Sequence, residues 1–156
     1  MNHLYLNSIK TFLLILGLFA LTKLNGQNMD SHKWNNRIII VSKSIETSNK
    51  YQIQIQNLRS KKEELKDRKI VLYEIDNNKY RFTDFQNSSN NDSWNEISEI
   101  DLIKFKNRTD FEISLIGLDG GIKLKSNELV NTKELFDLID SMPMRKYEME
   151  NQKNNK

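Results

Sequence analysis

Four consecutive β-branched residues, Ile38-Ile-Ile-Val41, follow the polar lead-in Trp34-Asn-Asn-Arg37. Branching at Cβ favours extended backbone, and a run with no polar alternate has no face to give to water. Such a strand belongs in the middle of a sheet with cover on both sides, the usual state of a central parallel strand. A second apolar run, Lys69-Ile-Val-Leu-Tyr-Glu-Ile75, repeats the pattern. A helix between the two would complete a β-α-β unit, so the expected class is α/β.

Residues 48–68 supply that helix, although Tyr51-Gln-Ile-Gln-Ile55 also alternates like a strand. Tyr51, Ile55, Leu58 and Leu65 fall on one helical face, and Lys61-Lys-Glu-Glu-Leu-Lys66 is rich in helix formers. Helix is therefore predicted, capped at Ser48 or Asn49. Asp76-Asn-Asn-Lys79 is a turn by composition, with Tyr80-Arg-Phe82 pairing back as a short hairpin arm. Gln86 to Asn95 is Asn and Ser rich and reads as a surface loop, and Ile97 to Lys106 has the spacing of a short helix.

Glu112 to Leu118 is expected as the next strand, with Gly121 to Lys125 as its partner. Asp119-Gly120 between them reads as a two-residue type I′ turn. That turn would set Leu118 opposite Gly121, Ile116 opposite Lys123 and Leu115 opposite Leu124. Ile113, Leu115, Ile122 and Leu124 would then share one side, with the C-terminal helix packed close against Gly117. That helix is Asn131 to Met142, opened by a capping box of Asn131 and Glu134, with Leu135, Phe136, Leu138, Ile139 and Met142 as its apolar stripe. Pro143 interrupts it and starts a further turn or two over Met144 to Glu150, and residues 151–156 form a polar, disordered tail.

Lys10, the apolar run Phe12 to Leu21 and Gly26 follow the plan of a secretory signal peptide, cleaved near Gly26. A membrane anchor is the alternative, but a spanning helix needs about 20 apolar residues and this run is roughly half that. Losing residues 1–26 removes Lys10 and Lys23 and no acid, leaving 22 of the 24 basic residues against 21 acidic ones. Basic and acidic residues are also interspersed, as in Lys61-Lys-Glu-Glu64, which excludes a nucleic-acid stripe. The single domain is expected over residues 27–150, in a secreted or periplasmic location. With no cysteine, it has no disulfide, thiolate nucleophile or Cys-based metal site, and its stability comes from packing.

Asp119-Gly120-Gly121 does not suit phosphate, because a strand and not a helix N-terminus follows the glycines. A calcium loop needs oxygen ligands at alternate positions, where this chain has Leu118, Ile122 and Leu124. His32 lacks a metal-ligand pattern, and Ser42 and Ser44 lie outside any Gly-x-Ser-x-Gly elbow. Glu63 with Glu64 and Glu148 with Glu150 read as solvated pairs, and Asn87, Asn91 and Asn107 head glycosylation sequons that matter only in a eukaryotic secretory pathway. No catalytic, cofactor-binding or metal-ligating residue is assigned.

The run Leu115 to Ser126, followed by Ile139-Asp-Ser-Met142-Pro143-Met144-Arg145 and Glu148-Met149, resembles the C-terminal signature of the DUF4174 family. Trp34, Asn36 and Arg37 resemble its N-terminal Trp-x-Asn-Arg opening, while Leu118 stands where the family usually has Lys before Asp119, Gly120, Gly121 and Lys123. The resemblance implies a thioredoxin-like, peroxiredoxin-related fold: a central mixed sheet of β-α-β, a short helix, a β-hairpin and a C-terminal helix, flanked by helices. Related domains occur in small exported bacterial proteins and in animal matrix proteins with sushi repeats, without a settled activity. The working cysteine of redox relatives would fall in Ser42 to Thr47, and serine cannot replace it because it forms no disulfide. The expected role is an exported, non-catalytic module that binds a protein, peptide or glycan. A non-thiol hydrolase-like enzyme and a self-associating structural protein are the alternatives.

Overall fold

The computed structural model describes residues 29–44, 49–87, 89–97 and 110–154. A 3-10 turn, Met29–His32, precedes β1 (Arg37–Lys43), α1 (Asn49–Arg59), α2 (Lys62–Asp67) and β2 (Ile70–Asp76). Then come β3 (Lys79–Asp84), β4 (Ser89–Glu96), β5 (Phe111–Ile116), β6 (Ile122–Ser126), α3 (Thr132–Ser141) and α4 (Pro143–Asn154). The strands form one six-stranded sheet in the order β4-β3-β2-β1-β5-β6. β1 runs parallel to β2, with Ile39 beside Leu72, and antiparallel to β5, with Ile39 opposite Leu115. The remaining pairings are antiparallel.

The apolar run of β1 is buried on both faces, as its composition demands. On the first face Ile39, Val41, Leu72 and Ile113 pack under Ile55 and Leu58 of α1, Leu65 of α2, and Leu135 and Ile139 of α3. On the second, Ile38, Ile40, Val71, Tyr73 and Phe82 form a separate core, joined by Ile97 and Ile116. A fully buried aliphatic side chain contributes roughly 1.5–3 kcal/mol, so the doubly covered β1 and β2 carry much of the stability.

The helical reading of residues 48–68 holds for Asn49 onward, but as two helices. The Ser60 hydroxyl donates to the Asn57 carbonyl at 2.7 Å, and Lys61 leaves helical geometry at φ −112°, ψ 38°. A serine bonding back to a helix carbonyl competes with the ladder, and the break falls there. The polar alternation of Tyr51 to Ile55 also has a cause. Gln54 is fully buried, donating to the Val130 carbonyl at 3.1 Å and accepting from the Val130 N–H at 2.9 Å.

Gln86 to Asn95 is not a loop throughout: β4 pairs with β3, setting Asn91 opposite Phe82 and Asn90 opposite Thr83. An outermost strand needs only one ladder and no buried face, so a polar sequence serves it. The helix expected over Ile97 to Lys106 lies outside the described residues beyond Ile97. At the C-terminus, Asn131 caps α3 by accepting from the Lys133 N–H at 2.8 Å. Met142 turns extended at ψ 141°, and Pro143 opens α4, which continues to Asn154 into the segment read as a tail.

The β5–β6 turn differs from the type I′ expectation. Gly120 has φ 80° while Asp119 does not have positive φ. The Gly120 N–H donates to the Gly117 carbonyl at 3.0 Å and the Gly117 N–H to the Gly121 carbonyl at 2.9 Å. Leu118-Asp119-Gly120 is thus a three-residue loop with a left-handed glycine at its end, the arrangement that produces a bulge. Asp119 fastens it by accepting from the Gly121 N–H at 2.9 Å and from Lys123 Nζ at 2.6 Å. Leu115 faces Leu124 as expected, but the register then shifts and Ile116 faces Ile122 instead of Lys123. Ile122 consequently leaves the first core and stands 65% exposed. Lys123, not the C-terminal helix, lies against Gly117: a Cβ there would meet Lys123 Cε at 2.6 Å.

These contacts rank two substitutions. Gly120→Ala puts a Cβ into left-handed backbone and is expected to cost about 1 kcal/mol, whereas Gly117→Ala needs the flexible Lys123 stem to swing away and the Asp119 carboxylate to give by a few tenths of an ångström, and costs less. Thermal melts giving the opposite order would contradict this account of the turn.

Candidate functional site

Because β1 and β2 are parallel, their C-terminal ends lie together at one end of the sheet, where open α/β sheets gather ligand-binding groups. Residues 45–48 lie outside the described segments, so the site begins with the strand ends themselves. Ser42 is buried, and its hydroxyl donates to the Glu112 carbonyl at 3.5 Å. Lys43 points to the first face, bonding Asp76 at 3.0 Å with its ammonium 5.3 Å from the Tyr51 ring centre.

Two residues back along β2 from Asp76, on the same face, sits Glu74, a carboxylate with no exposed surface between Tyr73 and Ile75. Its register beside Val41 of β1 and opposite Arg81 of β3 aims it between α1 and the β3 edge. Oε1 accepts from Arg59 Nη2 at 2.5 Å, and Oε2 accepts from Arg81 Nη2 at 2.8 Å and from the Tyr51 hydroxyl at 2.9 Å. Three donors, two of them cationic, offset the desolvation of a buried carboxylate that would otherwise cost several kcal/mol. Arg81 also lies over the Trp94 ring of β4, 4.8 Å from its centre. Burial and then the neighbouring Glu74 charge push the Tyr51 phenol well above its ordinary range, so it stays protonated as a donor.

The opposite end of the same two strands holds a second ionic cluster, built largely from the signature residues. Arg37 is buried and its Nη1 donates to the Arg68 carbonyl at 3.0 Å and to Glu148 Oε2 at 3.1 Å. Arg145, also buried, donates from Nε to Asp140 at 3.1 Å, from Nη1 to the Asp67 carbonyl at 3.0 Å and from Nη2 to the Asp67 carboxylate. Arg68 closes the ring on Asp140 at 2.5 Å and stacks on Phe136 at 4.5 Å. Burial disfavours the Arg145 charge, but Asp140 and Asp67 outweigh it and hold its pKa above the ordinary arginine value. Glu148, expected in water, instead bonds Arg37, Arg145 and Lys69. The cluster ties the starts of β1 and β2 to α3 and α4.

The other signature residues have local duties. Trp34 takes φ 69°, donates its N–H to the Leu118 carbonyl at 2.7 Å and leaves its indole 60% exposed. Met142 packs against the first core as it ends α3, Pro143 is the first residue of α4, and Met144 points outward. Asp119, Gly120, Gly121 and Lys123 meet one another at the hairpin, far in the chain from both ionic clusters. His32 contacts Tyr73 Oη at 2.9 Å and Asn36 Oδ1 at 3.2 Å. Among the described residues no three of His, Asp and Glu are grouped to hold a metal ion.

The sequence assigns no site role to Arg59, Glu74 or Arg81, and places Tyr51 only on the apolar face of the first helix. The available signal was Glu74 itself, a lone acid inside Ile70-Val-Leu-Tyr-Glu-Ile75, which a doubly covered strand admits only with partners.

Two measurements test these clusters. Arg145→Met leaves Asp67 and Asp140 without their shared guanidinium and is expected to cost roughly 3 kcal/mol by denaturant melts; a change below about 1 kcal/mol would show the pairs to be incidental. The second concerns pH. Tyr51 and Tyr73 both have raised pKa, chiefly through burial, so their contribution is whole below the unfolded phenol value near 10 and declines as pH rises beyond it. Denaturant melts between about pH 9 and pH 11.5 should show that decline, with a shallower slope in Tyr51→Phe; an equal slope would remove Tyr51 from the explanation.

No curated protein and no solved structure matches the chain. A family model described as "Domain of unknown function (DUF4174)" matches residues 28–148, most of the chain and all six strands, so the chain belongs to the DUF4174 family.

Proposed function

We propose that this chain is an exported, non-redox, thioredoxin-like binding module that engages a protein, peptide or glycan at the C-terminal end of β1 and β2. The arrangement that supports the thioredoxin-like reading is a parallel β1-α1-β2 unit, flanked by the antiparallel β5–β6 hairpin in the order β2-β1-β5-β6 and followed by α3. Export is supported by the leader through Gly26. No helix among the described residues is long and apolar enough to cross a membrane.

The observation that carries the non-catalytic reading is the state of the charged groups at that strand end. The thiolate of redox relatives is replaced by the stretch from Ser42, and beside it Lys43 is held by Asp76 while Glu74 accepts from Tyr51, Arg59 and Arg81. A general base has to reach a substrate proton, and Glu74 is buried with both carboxylate oxygens turned onto Tyr51, Arg59 and Arg81. What these groups do well is hold a surface rigid, which lowers the entropy lost when a partner docks.

The chain's lack of cysteine makes the test clean. A thiol-linked photocrosslinker on Asn78→Cys, in the turn beyond β2, is expected to yield a discrete adduct with a native exported component, protein or glycan. The same label on Lys146→Cys of α4 should yield none. Adducts from Lys146→Cys alone, or from neither position, would refute this choice of surface.

A further inference from the structure

β4 reads Ser89-Asn-Asn-Asp-Ser-Trp-Asn-Glu96, so Trp94 is the one apolar residue in an outer strand. It is 39% exposed and belongs to neither core. Among the described residues, core packing therefore gives no reason for a tryptophan there. Its ring is in contact with Arg81, and Arg81 shares the Glu74 carboxylate with Arg59. Arg59 keeps 43% of its side chain in solvent although Glu74 holds one end of its guanidinium. The buried glutamate thus orients an exposed cation, and a partly exposed indole lies against the second guanidinium.

From this juxtaposition of Arg59, Arg81 and Trp94 around Glu74, we propose a binding site for an acidic sugar chain, specifically a pyranose bearing a carboxylate. The proposal rests on the binding-module reading above and names the ligand class for that end of the sheet. A guanidinium presents paired N–H groups in a plane that match a carboxylate, and fixing that plane beforehand removes part of the ordering cost. The indole offers a flat apolar face for the C–H side of the sugar ring, at low entropy because the ring is already held by Arg81. Polyphosphate ligands fit less well, since they call for a broad basic stripe and this chain intersperses its acids and bases.

The probe is a purified hexauronate, titrated into the Trp34→Phe protein so that Trp94 is the sole fluorophore of its two tryptophans. Saturable change in Trp94 emission is expected, with a neutral hexasaccharide of the same linkage silent. Loss of one charged hydrogen-bonding group corresponds to about tenfold in affinity or more, so Arg59→Met should weaken binding by at least that factor, and Arg59→Lys by less. Calorimetry with Trp94→Ala should detect no binding, and thermal melts verify that each variant is folded. Equal binding of the neutral sugar, unchanged affinity in folded Arg59→Met, or tighter binding of a sulfated hexasaccharide, an oligonucleotide or a poly-glutamate peptide would each overturn the proposal. If hexauronate fails to bind while the Asn78→Cys adduct forms, the ligand class is wrong and the surface stands; failure of both removes the surface as well.

Discussion

β1 is paired on both edges and buried on both faces, and the position of every other element follows from that confinement. A strand with four apolar β-branched residues in sequence can be satisfied only between two neighbouring strands and under two cores. Its parallel partner β2 then requires a crossover, which α1 and α2 provide over the first face. Its antiparallel partner β5 allows the short return into β6. With no disulfide to staple the chain, this sandwiching supplies the stability that many small exported domains obtain from covalent links.

The two ends of the β1–β2 pair are fastened differently. At the strand starts, Arg37, Arg68 and Arg145 interlock with Asp67, Asp140 and Glu148, joining four elements through buried guanidiniums. At the strand ends Glu74 is the buried member, and the cations around it reach outward, with side chains 43% and 24% exposed. Buried ion pairs contribute little net energy because desolvation opposes them, but removing one partner strands the other. Interlocked pairs therefore enforce geometry more than they add stability. A closed cluster suits a scaffold, and one with exposed arms suits a surface that meets a partner.

Much of this was legible because periodicity and β-branching act locally. Ile38 to Val41, Ile70 to Ile75 and the Leu135 to Ile139 stripe declared their elements. β4 escaped detection because an outer strand of Asn and Ser has the composition of a loop, and its pairing to β3 is a tertiary fact. The hairpin is legible, as is the pairing of Leu115 with Leu124, but the register shift beyond it is not, since the bulge depends on where the Asp119 side chain bonds. The Arg37 and Arg145 signature was recognisable as a motif, yet its purpose appears only when α4 is laid beside the start of β1. Glu74 draws its donors from 7, 15 and 23 residues away, beyond any local pattern.

The bulged strand β6 also bears on how copies of this protein meet at high concentration. As an outermost strand it offers open backbone groups that another β6 could join. An antiparallel approach centred on Leu124 would bring Lys123 against Lys125 of the second copy, twice across the dyad. Like charges directly opposite repel, so the lysines that give β6 its alternation also disfavour that edge-to-edge pairing.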